Sequence, residues 1–190
     1  KTYKKMKTRE VKKVLMAVMA ALTLHFTASK AQTANDEDPD TKYATELLKP
    51  GTEAPDFMLA SPEGRMVMLS QYKGRYVVLD FWASWCPDCR KDAPHVVKMY
   101  EEFKHENVSF IGVSFDVDSV KWREAITKYN MKYAHVSELK KMRETEIAKT
   151  YGVNWIPTLY LIDPEGKVVL STVVSSKINA ALKEVFAKKE

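Results

Sequence analysis

An α/β domain built around a central sheet flanked by helices is the fold class the sequence predicts. From about Glu46 onward, apolar strand-like runs alternate with helical patterns. Tyr76 to Ala83 and Val108 to Phe115 are near-continuous apolar runs, the composition of strands buried on both faces. Two turn-forming tetrads, Ser61-Pro62-Glu63-Gly64 and Asp163-Pro164-Glu165-Gly166, each separate a pair of short strand-like segments.

In order, Asp56 to Ala60 and Arg65 to Leu69 form an N-terminal β-hairpin across the first tetrad. The Tyr76 to Ala83 run is a buried strand broken only by Asp80, and Pro87 to His105 reads as the helix that follows it. After the Val108 to Phe115 strand, Ser119 to Tyr129 carries Val120, Ala125, Ile126 and Tyr129 at helical spacing, with Trp122 on its packing face. A short strand at Tyr133 to Val136 and a helix at about Glu144 to Thr150 come next. Thr158 to Ile162 and Lys167 to Val173 make the second hairpin, and Ser176 to Lys188 closes the chain as an amphipathic helix through Ile178, Ala181, Leu182, Val185 and Phe186. The scattered methionines, among them Met66, Met68, Met99 and Met131, read as core or partly exposed filler.

The chain has 190 residues, 45% of them hydrophobic, which excludes low-complexity and wholly disordered classes. A net charge of +5 invites a nucleic-acid reading until the charges are located. Residues 1–31 hold eight Lys or Arg against one acid, a balance of +7, and the remaining 22 basic and 24 acidic residues leave −2. No basic stripe remains in the body, so no nucleic-acid partner is expected. The cationic stretch Lys4 to Lys13, the apolar run Val14 to Phe26 and the small residues Ser29 and Ala31 together read as a secretory signal with cleavage after Ala31. The alternative is an uncleaved N-terminal anchor associated with a membrane, although the run is short for a span. Lys1 in place of Met fits either a start at Met6 or a chain lacking its first residue. Residues 32–45, polar and acidic, read as a flexible linker, and 46–190 as the folded domain.

The chemistry lies at the end of the first buried strand, in Phe81-Trp82-Ala83-Ser84-Trp85-Cys86-Pro87-Asp88-Cys89. Two cysteines three positions apart at a helix start can close a small disulfide ring. Backbone N–H groups and the helix dipole favour a thiolate at the first of them. Cys86 is therefore expected as the exposed nucleophile and Cys89 one turn inside, with Pro87 suited to the first helical turn and Trp85 shielding the pair. A purely structural disulfide is disfavoured because so short a loop restrains the unfolded chain little. A metal site would need ligands beyond two thiolates, and His95, His105 and His135 bear no spacing relation to the pair. No metal and no cofactor are expected.

At these residues the chain resembles the thioredoxin superfamily and, within it, the TlpA/ResA-like periplasmic thiol-disulfide oxidoreductases. Three segments carry the likeness: Asp80 to Cys89 with Pro94 beyond it; Tyr151-Gly152-Val153-Asn154-Trp155-Ile156-Pro157-Thr158, similar to the family's cis-proline segment; and Ala54-Pro55-Asp56-Phe57, Gly64 and Leu69 to Arg75. The resemblance spans Gly51 to the end. It implies a thioredoxin-like fold with a central mixed sheet, the N-terminal hairpin, and an inserted αβ element between Asp116 and Val136. It also implies that Cys86 attacks a substrate disulfide and Cys89 resolves the product, with Asp80, partly desolvated, handling the proton of Cys89. A structural role for Asp80, paired with a lysine, is the competing reading. Pro157, if cis, would leave the Ile156 backbone free to pair with an extended substrate, and Trp155 is either the floor of a substrate groove or simple packing.

The same likeness implies reduction of disulfides in secreted or envelope proteins, such as apocytochrome c, with a membrane thiol donor restoring the dithiol in the periplasm. Two departures bear on this. Gly112 stands where thioredoxins have a lysine near the buried acid, so burial rather than a counter-charge should govern Asp80. Asp88 between the cysteines opposes the thiolate, so only a moderate depression of the Cys86 pKa is expected. Two other readings are weighed. A Sco-type copper protein spaces its cysteines by three residues rather than two and adds a distant histidine. His135 would be the candidate, but it is expected as a surface residue at a strand end. A peroxiredoxin would need Pro-x-x-Thr-x-x-Cys, and positions 80 and 83 are Asp and Ala.

Overall fold

The structure, a computed structural model, describes residues 37–187. In chain order the elements are α1 (Pro39–Tyr43), β1 (Met58–Ala60), β2 (Met66–Met68), a 3-10 turn (Leu69–Tyr72), β3 (Tyr76–Trp82), α2 (Pro87–Phe103), β4 (Val108–Ser114) and α3 (Ser119–Lys128). There follow β5 (Ala134–Ser137), a 3-10 turn (Met142–Glu144), α4 (Glu146–Tyr151), β6 (Thr158–Ile162), β7 (Val168–Thr172) and α5 (Ser175–Ala187). The seven strands form one mixed sheet in the order β2-β1-β5-β4-β3-β6-β7. β3, β4 and β5 run parallel, joined by the α2 and α3 crossovers, while β6 runs antiparallel to β3 and the two hairpins form the edges.

Each element has a local cause. β3 is buried at every residue after Tyr76 because it lies at the middle of the sheet. α3 starts where the Asp118 carboxylate accepts the Val120 and Lys121 N–H groups, satisfying donors that the helix itself leaves unpaired. α4 starts on the Thr145 hydroxyl and ends at Gly152, where φ is +67° and a Cβ would meet the Glu46 carbonyl oxygen at 2.0 Å. Around Phe81 the rings of Phe115, Tyr151 and Tyr160 pack at 5.5–6.0 Å between centroids. Each such buried side chain contributes about 1.5–3 kcal/mol. Trp122 is buried as expected, as are Met99 and Met131, while Met58 and Met66 are exposed.

The expectation of a flexible linker over 32–45 is corrected where the segment is described. Asp38 caps α1 by accepting the Asp40 N–H. The Asp40 carboxylate accepts the Thr172 hydroxyl at 2.7 and 2.9 Å and the Val173 N–H at 2.8 Å, and Lys177 bridges Asp38 and Asp40. Just beyond, Leu47 is 2% exposed. The acids of the expected linker are instead hydrogen-bond acceptors that fasten the segment to β7 and α5. The expected signal, 1–31, lies outside the described residues.

Candidate active site

The site is assembled at the end of β3. The turn after Trp82 is pinned to the end of β4, where Asp116 accepts the Ser84 N–H at 2.9 Å and the Ser84 and Ser114 hydroxyls. Arg90 reaches back from α2 to the carbonyls of Ser84 and Trp85 at 3.2 and 2.9 Å. Cys86 then occupies the N-cap of α2, Pro87 takes the first helical position, and the Cys89 N–H donates to the Cys86 Sγ at 3.1 Å. That donor, with the positive end of the helix behind it, stabilises negative charge on Cys86. Cys86 and Cys89 are joined in a disulfide with Cα atoms 5.3 Å apart. Pro94 interrupts the hydrogen-bond ladder of α2 one turn and a half further on, since it has no N–H to give.

One expectation is corrected here. Cys86 is only 4% exposed, the same as Cys89, because the bulk around its sulfur comes from the segment before β6 as well as from its own turn. Its Sγ lies 3.6 Å from the Ile156 carbonyl oxygen. Trp85, at 54% exposed, is the outward feature, its indole N–H directed to the Phe115 carbonyl at 3.4 Å.

Inward of Cys89 lies Asp80, 3% exposed, with one carboxylate oxygen accepting the Tyr133 hydroxyl at 3.1 Å. Burial, reinforced by the neighbouring Asp92 charge, pushes Asp80 up to about 7, and the Tyr133 hydrogen bond draws it partly back. A small cavity joins Asp80, Cys89, Asp92 and Pro157. Asp92 is itself raised, mainly by burial, although it accepts the Ser175 hydroxyl at 2.6 Å and faces His95 at 3.5 Å. Asp92 and Tyr133 were not singled out from the sequence. The signal for Asp92 was present, an acid one helical turn after Cys89, whereas Tyr133 reaches Asp80 only because the inserted αβ element brings it there.

Asp80 pairs in register with Gly112, and the expected absence of a lysine leaves room for another group. A Cβ on Gly112 would lie 2.4 Å from His135 Nδ1 and 3.0 Å from the Trp82 indole nitrogen. His135 is therefore not the surface residue expected at the strand end. It is 4% exposed, its ring lies against Trp82 and Tyr133, and burial lowers its pKa to about 4. It fills the space beside β4 that the glycine vacates.

The rim is built from the segment before β6. Ile156-Pro157 is cis, as the resemblance implied, and the Ile156 N–H has no partner among the described residues. Trp155 is 38% exposed and stacks on Tyr43 at 4.2 Å, so it both packs and walls a groove. That groove, of about 650 Å³, runs from Asp88 and Pro157 along α2 past Asp92 and His95 to α5. Among the described residues no group of three His, Cys, Asp or Glu side chains converges as a metal site would require.

Two sulfurs held at a helix N-terminus, one against the Ile156 carbonyl and one beside a buried acid, exchange electrons by opening and closing their bond against another thiol or disulfide. The chain is therefore a thiol-disulfide oxidoreductase of thioredoxin-like fold. It belongs to the AhpC/TSA family, whose sequence pattern matches residues 50–171. It is 34% identical over 124 residues to the thiol-disulfide oxidoreductase ResA of Bacillus thuringiensis subsp. konkukian, covering 65% of this chain and 69% of that one. To ResA of Bacillus subtilis it is 32% identical over 124 residues, covering 65% and 67%. Among solved structures, the thioredoxin domain of a thiol-disulfide oxidoreductase from Bacteroides vulgatus superposes with a TM-score of 0.67 at 30% identity, covering 73% of this chain and 98% of that one. A thiol-disulfide oxidoreductase from Bacteroides fragilis gives 0.67 at 29% identity, covering 71% and 100%.

Proposed function

We propose that the chain reduces disulfides of secreted or envelope proteins, with Cys86 as the attacking thiolate and Cys89 as the resolving one. The Cys86 thiolate attacks one sulfur of the substrate disulfide, and the other leaves as a thiolate. The Cys89 thiolate then attacks Cys86, closing the chain's own disulfide and releasing the second substrate thiolate. The substrate gains two electrons and the chain loses two, so a dithiol donor must reduce Cys86–Cys89 before the next cycle. Asp80 takes the proton of Cys89 as it attacks, a role suited to a carboxyl near neutrality. Trp85, Pro87, Ile156 and Pro157 contact the substrate, the Ile156 N–H bonding to its extended backbone, and Trp155 lines the groove beside them.

The observation that carries this reading is the placement of Cys89 between Cys86 and a buried carboxyl raised to about 7. The N-terminal sequence supports export: a cationic stretch, then an apolar run, then small residues at the cleavage positions. The working place is then the periplasm or cell envelope, the donor a membrane thiol protein, and the substrate a protein such as apocytochrome c. Among the described residues no helix is long and apolar enough to cross a membrane.

Equilibration of Cys86–Cys89 with dithiothreitol or glutathione buffers, read by Trp85 fluorescence, tests the direction. A potential toward that of thioredoxin, about −270 mV, fits a reductant, whereas one near −120 mV would make the chain an oxidant. Insulin reduction that survives Cys86→Ser would overturn the assignment altogether.

A further inference from the structure

Next to Trp85, the residue before Cys86, lies a second hollow of about 460 Å³. Its walls are Trp85, Phe115, Val117 and Met142, and its rim carries Lys141, Arg143 and Glu144. We infer that this hollow docks a segment of the disulfide-bearing partner that presents a bulky apolar side chain next to a carboxylate, an inference that rests on the proposed reduction of protein disulfides.

Three observations support it. Trp85 and Val117 are 54% and 57% exposed, so an apolar side chain entering here removes a contiguous wet apolar surface. The side chains of Lys141 and Arg143 have no ion pair among the described residues, whereas Lys140, in the same loop, is held by Glu138 at 3.2 Å. Two unpaired cations against the one carboxylate of Glu144 leave the rim net positive, complementary to an acidic segment.

The third observation is that the loop is held in place before any partner arrives. Glu138 accepts the Ile147 N–H, Ser137 accepts the Leu139 N–H, and the Thr145 hydroxyl caps α4. A loop anchored in this way presents residues 141–144 to a partner with little ordering cost on binding.

The test uses the full chain and disulfide-linked peptide pairs that differ only beside the cysteine: Leu-Glu, Leu-Lys and Ser-Glu. Reduction of the Leu-Glu peptide is expected to be favoured in kcat/KM by about 3- to 10-fold over Leu-Lys, the size of one or two exposed ion pairs. The preference should shrink in high salt. The double variant K141E/R143E should invert it while the Cys86–Cys89 potential stays unchanged. Leu-Glu should also exceed Ser-Glu, and Met142→Ala should narrow that gap. Equal kcat/KM for Leu-Glu and Leu-Lys, or a preference untouched by K141E/R143E, overturns the docking inference while leaving disulfide reduction standing. Failure to reduce any of the three peptides would instead overturn the proposed function, and the docking inference with it.

Discussion

Cys86 and Cys89 are equally buried, yet the surroundings of their sulfurs differ in kind. Cys86 faces a carbonyl oxygen and a helix N-terminus, beneath a rim formed by Trp85 and the segment before β6. Cys89 faces a cavity edged by Asp80 and Asp92, with Tyr133 holding Asp80 from behind. Exposure therefore does not separate attacker from resolver here. In the proposed mechanism what separates them is the charge each environment favours, thiolate at the helix cap for Cys86 and proton transfer to a buried acid for Cys89.

The largest effect that would break this contrast is expected at Asp80. Asp80→Asn should slow release of the mixed disulfide by about 10- to 100-fold while leaving the first attack within a few-fold, as loss of a proton acceptor predicts. Stopped-flow measurement of the two steps separates them. An equal slowing of both would mean that Asp80 does not serve Cys89 in particular. In the native protein the second step should accelerate as pH rises through about 7, where Asp80 ionises.

Stability sharpens the same contrast. The Asp80 carboxyl is raised from 3.8 to about 7, so between those values the folded chain holds a proton that the unfolded chain has lost, and stability falls as pH rises. His135 is lowered from 6.5 to about 4, so in that interval the unfolded chain holds the extra proton, and stability rises with pH. The two slopes, each up to about 1.4 kcal/mol per pH unit, oppose one another over most of this window. Denaturant titrations of the disulfide form should accordingly find a slope rising with pH in Asp80→Asn and falling with pH in His135→Phe. Identical profiles in both variants would contradict the assignment.

Smaller effects tune the inner site. Tyr133→Phe removes a bond that lowers Asp80 and should move its titration above about 7, while Asp92→Asn removes a repelling charge and should move it below. Carboxyl NMR shifts would read both, and movement in the same direction would refute the account. At the outer rim, Trp155→Ala should raise KM a few-fold with kcat little changed, because its ring lines the groove rather than touching the sulfurs. A loss confined to kcat would contradict that.

Much of this was legible in the sequence. The β3 and β4 runs, both hairpins, the inserted α3 and β5, and the cysteine turn all announce themselves through local pattern, and the structure has them within a residue or two. What local pattern could not supply was partnership across the fold. The Asp38 and Asp40 carboxylates looked like part of a flexible acidic linker because Thr172 and Lys177, which hold them, lie more than 130 positions away. His135 looked like a strand end at the surface because its pocket is the empty place over Gly112 on the neighbouring strand. Cys86 looked exposed because its cover comes from the segment around Ile156.

The division of labour between the two sulfurs is tested most directly by trapping. Reduced Cys89→Ser and Cys86→Ser proteins would each be mixed with a disulfide-bonded substrate protein and their covalent adducts identified by mass spectrometry. A stable adduct on Cys86 in the Cys89→Ser protein, with none accumulating on Cys89 in the Cys86→Ser protein, is the predicted result. Comparable adducts in both would show that either sulfur attacks, and would contradict the account.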